Sequence, residues 1–381
     1  MNIEQAGIKK QLGQFYTTNY DYILNGLYIP SNIDKIIEPF VGNGDLLKFI
    51  NKTEKKYKIE KYDIEPKIDD AIQQDTLLHS PDYNNKFIIT NPPYLARNKS
   101  IDKTIFDKYN QNDLYKCFIS ILTSNLCLGG IIIIPLNFWC SIRKSDIELR
   151  KSFLNKYNIC RINIFEEKVF DDTSYTICSF QFCLKCSSTS NITDNISSTS
   201  NITDNISSTS NITDNISSTS NIKTHIYPSK KEINILLNEN TDYTIGGEIY
   251  KLPLSKTIKI TRLTSSNKNM ENKANIIIKC IDDNINSKIC LKMVDDNNIY
   301  IDTTPKLSAR SYASIIITPY IDTDKQKELV SEFNKYIEEQ RIKYNSLFLT
   351  NYRESNSIAR KRISFKLVFN IINYLLSSSL K

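Results

Sequence analysis

Read for the spacing of apolar and polar positions, the first half of the chain alternates between short β-branched runs and stretches of helical period. "IDKIIEPF" predicts a strand that ends in a loop, and "GDLLKFI" the start of a helix. "YKIEKYDIEP" predicts a second strand and "KFIITNPPY" a later one. "DLYKCFISILTSNLCL" has helical spacing that Gly129-Gly130 breaks, and "IIIIP" then reads as a buried strand. "DIELRKSFLNKY" is a further helix, followed by the strands "ICRINIF" and "SYTICSFQFCLK". This alternation predicts a doubly wound α/β sheet over residues 1–186.

The pattern then stops. "SSTSNITDNI" occurs three times in tandem from Ser187, with a partial fourth copy ending at Ile222. Ser, Thr, Asn and Ile at that period cannot form a core, so residues 187–222 are expected to be a disordered linker. Beyond it come β-branched runs ("NIIIKCIDD", "KICLKMVDD", "ASIIITPY") and the helical "DKQKELVSEFNKYIEEQRIKY". They predict a separate α+β domain over residues 223–381.

Composition adds two constraints. The 381 residues, 40% apolar and 24% charged, suit a globular chain of two domains. The nine cysteines contain one close set, Cys183-x-x-Cys186, with no second pair at zinc-ligand spacing, and His79 and His225 are isolated. The thiols read as reduced and buried in an intracellular protein, and no metal site is expected. The N-terminus has no signal-peptide h-region, so secretion is not expected and the Asn-Ile-Thr and Asn-Ile-Ser sequons should be silent. The window "LCLGGIIIIPLNFW" falls short of the roughly 18 residues a membrane span needs.

Charge is placed unevenly. Residues 341–381 carry eight cations (Arg341, Lys343, Arg353, Arg360, Lys361, Arg362, Lys366 and Lys381) against Glu354 alone, which equals the whole net charge of +7. Apolar and aromatic residues interleave them, a pattern expected of a folded surface facing an anionic partner such as nucleic acid. Arg353, Arg360, Lys361 and Arg362 are the candidate contacts.

The candidate chemistry lies at successive predicted strand ends. Gly42-x-Gly44, between a strand and a helix, lets backbone approach a ligand; Leu47 stands where a dinucleotide fingerprint has its third glycine, which argues against NAD. Asp63, at the end of the next strand, can chelate two ribose hydroxyls, and Asp75 in "QQDTLL" can accept from an adenine amine. In Asn91-Pro92-Pro93-Tyr94 the two prolines stop a strand and hold the chain extended. That leaves the Asn91 amide and the Pro92 carbonyl as neighbouring acceptors beside an aromatic ring, a clamp for a flat molecule bearing an NH2 group.

With these motifs in this order, residues 10–186 resemble the gamma class of amino-methylating DNA methyltransferases, which includes the Thermus enzyme specific for TCGA and the adenine methyltransferases of chlorella-infecting viruses. "GQFYT" resembles the N-terminal motif, "IEPFVGNG" the cofactor loop, "YDIEPK" the ribose strand and "QQDTLL" the adenine-contacting turn. "NPPY" is similar to the catalytic motif, "DLYKCF" to the helix after it and "EKVFDD" to the segment carrying the target-base aromatic. The resemblance implies a Rossmann-like S-adenosylmethionine-dependent core and a C-terminal DNA-recognition domain. It implies cofactor contacts at Thr17, Glu38, Phe40, Asp63, Ile64, Asp75, Asn91, Pro93 and Phe118. It gives a flipped-out adenine to Asn91 and Pro92 for hydrogen bonding, and to Tyr94 and Phe170 for stacking. The implied partner is double-stranded DNA, with a restriction endonuclease as a possible separate protein, and the chain is expected to act as a monomer. An N4-cytosine methyltransferase, an RNA-adenine or protein-glutamine methyltransferase, and a non-catalytic DNA-binding module are the competing readings. An amide NH2 presents the same donors as adenine; glutamine methylation would need no basic surface, and a binding module no cofactor pocket.

Overall fold

The computed structural model describes residues 13–170, 175–185, 221–269, 271–282, 288–305, 307–353 and 359–378. Nine strands form the first sheet: β1 Lys35–Glu38, β2 Lys58–Asp63, β3 Ile72–Gln73, β4 Phe87–Thr90, β5 Gly129–Pro135, β6 Tyr157–Phe165, β7 Ile177–Leu184, β8 Asn221–Tyr227 and β9 Lys231–Leu236. Their order is β3-β2-β1-β4-β5-β7-β6-β8-β9. β1, β2, β4 and β5 are mutually parallel, while β7 runs antiparallel between β5 and β6. The fold is therefore the doubly wound α/β sheet that the periodicity predicts.

The central strands explain themselves. β4 and β5 are buried at every position, as strands covered on both faces must be, so they read as continuous apolar runs. Helices Leu114–Ser124 and Lys144–Lys156 form where helical spacing predicts them. The chain winds from β1 outward to β3, then returns to β4 on the other side of β1. The carboxyl ends of β1 and β4 thus diverge, leaving a crevice at the switch point.

The expected boundary between linker and C-terminal domain is corrected by β8 and β9. Both fall in the segment assigned from sequence to the linker and second domain, yet β8 pairs parallel with β6 and β9 pairs with β8. Leu237 and Ile245 also belong to the first core. The apolar pattern of "NIKTHIY" could not reveal which sheet would receive it. The decapeptide repeat at 187–216 lies outside the described residues. Its flanks are placed, however: Leu184 pairs with Tyr157 at the amino end of β6, and β8 starts at that same end. The end of β7 and the start of β8 therefore both lie at the edge of the sheet opposite the crevice.

The second core begins at Ile249. It holds a four-stranded antiparallel sheet, with β10 Lys259–Arg262, β11 Lys273–Lys279, β13 Cys290–Met293 and β14 Tyr312–Thr318 in the order β10-β14-β11-β13. Beside it β12 Ile281–Asp282, β15 Thr350–Arg353 and β16 Ala359–Arg362 form a three-stranded sheet. Helices Thr323–Lys343 and Phe365–Ser378 bury Leu329, Phe333 and Ile337, and Leu367, Ile371 and Ile372, in this core. This is an α+β arrangement. Among the described residues no helix is long and apolar enough to cross a membrane.

Candidate active site

A crevice of about 390 Å³ opens at the carboxyl edge of β1, β2 and β4, within the range of small-molecule sites. Seven of the nine expected cofactor residues line it: Thr17, Phe40, Asp63, Ile64, Asp75, Asn91 and Pro93. Glu38 and Phe118 do not. Phe118 is fully buried behind Phe40, their rings edge to face at 5.1 Å, so it supports the wall and does not form it. Glu38 is buried beside the crevice, at 1% exposure.

Backbone geometry builds the first half of the site. Gly44 takes φ +76 immediately before helix Asp45–Ile50, a conformation that costs glycine little. The loop is tied to the next strand by Gly42 N–H, which donates to Asp63 Oδ2 at 2.8 Å. Asp63 Oδ1 accepts from Glu65 N–H, also at 2.8 Å. Each carboxylate oxygen keeps a further lone pair, so two ligand hydroxyls can be accepted without breaking the loop. Burial raises the Asp63 pKa from its ordinary value, against the two backbone N–H groups that lower it. Asp75 Oδ1 accepts from Leu77 and Leu78 N–H at 3.0 Å each, which fixes the turn that carries it.

Glu38 is the most perturbed carboxyl here. Its Oε1 accepts from the Thr90 hydroxyl at 2.5 Å and from Phe40 N–H at 3.3 Å, whereas Oε2 is buried without a hydrogen-bond partner. Burial pushes its pKa up to about 8, and the nearby Asp63 charge adds to the rise. A buried acceptor with an unused oxygen fits a ligand that brings a cationic donor such as an amino acid ammonium.

The second half is the Asn-Pro-Pro-Tyr turn. Asn91 Nδ2 donates to the Phe15 carbonyl at 2.7 Å and to Thr17 Oγ1 at 3.0 Å, so its Oδ1 is left as acceptor. The Tyr94 hydroxyl contacts this Oδ1 and lies 2.8 Å from the Ile133 carbonyl. No described backbone N–H donates to the Pro92 carbonyl. Two acceptor oxygens, Asn91 Oδ1 and the Pro92 carbonyl, thus belong to the turn that follows β4.

The expected stacking pair is placed differently. Tyr94 and Phe170 are 3% and 5% exposed, and the Phe15 ring packs against both. It stacks on Tyr94 at 5.1 Å and on Phe170 at 6.2 Å. Sequence reasoning missed Phe15 and its neighbour Tyr16, although both stand in "GQFYT" beside the predicted Thr17. Their segment is held against the turn through Gly13, whose carbonyl accepts from Tyr94 N–H at 2.9 Å. Gly13 has φ +67, and a Cβ there would meet the Tyr94 carbonyl oxygen at 2.7 Å. Ser100, Ile101 and Asp102, in the connection after the turn, also line the crevice and were not predicted.

The candidate DNA contacts are narrowed. Lys361 Nζ lies 3.3 Å from Glu166 Oε1, joining the two regions of the chain. Arg362 NH2 donates to the Arg310 carbonyl and Ser311 Oγ, both at 2.7 Å. Both cations have partners within the protein. Arg353 and Arg360 stand in β15 and β16, paired with Ala359 and Tyr352, and their side chains lie outside the described residues.

Comparison with known proteins places these observations beside families. No curated protein matches the chain. Similar solved structures include a modification subunit of a putative type I restriction enzyme from Vibrio vulnificus, 15% identical with a TM-score of 0.36 over 48% of this chain and 46% of that one. They also include a putative class I S-adenosylmethionine-dependent methyltransferase from Listeria monocytogenes, 11% identical with a TM-score of 0.34 over 46% and 59% of the two chains. A type I restriction-modification methyltransferase subunit from Streptococcus thermophilus is 16% identical, with a TM-score of 0.34 over 46% of each chain. The chain thus spans about half the length of these solved chains. Residues 12–170, which hold the whole crevice, match the Eco57I restriction-modification methylase family.

Proposed function

We propose that the protein is a site-specific DNA methyltransferase of the gamma class, transferring a methyl group from S-adenosylmethionine to N6 of an adenine turned out of a duplex. The observation that carries this reading is a single crevice holding Asp63 at one strand end and the oriented Asn91 amide at another. The match of residues 12–170 to a restriction-modification methylase family supports it.

Asp63 would hold the cofactor's ribose hydroxyls, Asp75 its adenine amine, and Glu38 its ammonium. The bound cofactor supplies an electrophilic sulfonium methyl. The rest of the chemistry belongs to the chain. An exocyclic amine is a weak nucleophile because its lone pair is delocalised into the ring. Asn91 Oδ1 and the Pro92 carbonyl accept its two hydrogens, which draws the nitrogen towards tetrahedral geometry and localises the lone pair. With the cofactor bound, that lone pair would be placed to take up the methyl group the cofactor supplies, and the nitrogen would lose one proton to solvent. Orientation and aimed acceptors supply the acceleration, without a separate general base. The target must leave the base stack for this, at a cost of a few kcal/mol that aromatic contacts partly offset. Duplex contacts are assigned to the C-terminal domain, with Arg353 and Arg360 as proposed phosphate ligands.

The test is to incubate unmodified DNA with labelled S-adenosylmethionine and sequence it with modification detection. N6-methyladenine at a recurring short site is the expected result. N4-methylcytosine would replace the target base in this reading. Label in RNA or protein but not in DNA would overturn it.

A further inference from the structure

Phe15 stands where the proposed mechanism needs open space. Its ring is nearly parallel to those of Tyr94 and Phe170, at interplanar angles of 26° and 29°. By these two contacts the Tyr94 and Phe170 rings are no more than about 11 Å apart, and the Phe15 side chain is the stacked neighbour of both. Tyr94 and Phe170 are almost wholly removed from solvent.

The backbone of this segment is anchored on both sides of the ring. Gly13 accepts from Tyr94 N–H, the Phe15 carbonyl accepts from Asn91 Nδ2, and Thr17 Oγ1 accepts from the same amide. The side chain has no such anchor. It is only half-buried and borders the crevice, so rotation about its own bonds can carry it out of the stack without disturbing the Asn91 amide. Side-chain rotation is fast compared with catalytic turnover.

We propose that Phe15 is a plug in the target-base slot, displaced by the extruded adenine, while its backbone keeps Asn91 oriented. The proposal rests on the adenine-methyltransferase reading and goes beyond it by naming what the slot holds before DNA arrives. An aromatic stack given up with Phe15 is regained with the base, so exchange costs little for a purine that also satisfies Asn91 Oδ1. A group without both a flat face and an amine regains less and does not expel the ring. The plug thus adds a discrimination step at the slot, separate from reading of the flanking sequence.

The experiment compares two duplexes carrying the recognised site: one with the target adenine, the other with an abasic position in its place. Phe15→Ala should bind the adenine duplex roughly 2- to 10-fold tighter than the parent, because one stack no longer has to be broken. Its affinity for the abasic duplex should stay within about twofold of the parent's. Phe15→Trp gives a second readout, since Trp139 is the only other tryptophan and is fully buried. Iodide quenching of the Phe15→Trp emission should rise with the adenine duplex and stay constant with the abasic one. Weaker binding of the adenine duplex by Phe15→Ala would make the ring a stacking platform and overturn the plug. Equal shifts for both duplexes, or quenching that ignores the adenine, would overturn it too. Methyl transfer by the parent to the adenine duplex is measured alongside. Its absence would remove the underlying reading, whereas transfer with parallel binding shifts would remove only the plug.

Discussion

The carboxylates of the crevice and the cations of the C-terminal strands are the two charged regions that the sequence singles out, and they behave in opposite ways. Asp63 holds two backbone N–H groups and still has lone pairs facing the crevice; Glu38 keeps a whole oxygen without a partner. Lys361 and Arg362, in the densest basic run of the chain, are taken up by Glu166, Arg310 and Ser311. Asp63 was inferred from its place at a strand end, Glu38 from the family resemblance, and the basic residues from charge density. Position along a predicted element fixes where a side chain starts. A count of charges says nothing of which are spent on the protein itself.

Mutations can break or sharpen this contrast. The largest effect is expected at Asn91. Asn91→Ala removes an acceptor aimed at the reacting amine and should slow methyl transfer by roughly 100-fold or more. Cofactor affinity, measured by calorimetry, should change little. Turnover within tenfold of the parent would refute the assignment of the acceptor pair.

Asp63→Ala comes next. Loss of a charged acceptor for two hydroxyls should raise the cofactor dissociation constant by roughly 10- to 100-fold. An unchanged constant would leave Asp63 as a brace for Gly42 and Glu65 and nothing more.

Glu38 gives a pH signature. Its folded pKa is raised to about 8 by burial, so the native state holds a proton that the unfolded carboxyl has already lost. The resulting stability is complete below the ordinary pKa of 4.5 and disappears as pH rises through about 8. Denaturant midpoints should therefore fall over that window in the parent and fall less in Glu38→Gln. If a ligand ammonium pairs with the ionised carboxylate, cofactor affinity in the parent should rise with pH up to about 8. That rise should be missing in Glu38→Gln.

The double variant Lys361→Gln, Arg362→Gln should show a smaller effect, on stability and not on salt dependence. A partly exposed ion pair contributes about 1 kcal/mol or less, so a modest drop in melting temperature is expected. The slope of log affinity for DNA against log salt should stay parallel to the parent's. A fall of about 0.9 per residue would restore both as phosphate contacts.

Deleting residues 187–216 should matter least. β7 and β8 flank β6, so their near ends are about 10 Å apart, a span that the six remaining residues cover. Stability should move by about 1 kcal/mol or less, because loop closure depends weakly on length. Methyl transfer should persist, since the end of β7 and the start of β8 lie opposite the crevice. A collapsed melting transition would show that the repeat is part of the fold.

Much of the first sheet and of the crevice was legible because local rules govern them. Pro39 and the Pro92-Pro93 pair end strands where ladder donors run out, and Gly44 supplies a left-handed residue before a helix. The runs "KFIIT" and "IIIIP" can be satisfied only between two covered faces. From these the strand ends follow, and with them the places of Asp63, Asp75 and Asn91.

What the sequence could not determine depends on contacts between distant segments. β8 lies beside β6 because a strand with one apolar face can add to any sheet with an unpaired edge, and only the assembled sheet shows which edge was open. Glu38 keeps a spare oxygen because Thr90, 52 positions away, takes the other. Phe15 packs on both Tyr94 and Phe170 because Gly13 lets the N-terminal segment rest on the Tyr94 backbone. The sequence by itself determined the strand ends and the residue types standing at them, since backbone sterics and hydrogen-bond supply act within a few residues. Tertiary structure decided which of those side chains face the crevice, which are held by partners, and which ring fills the slot. Burial and partnership are properties of the packed chain and have no local signature.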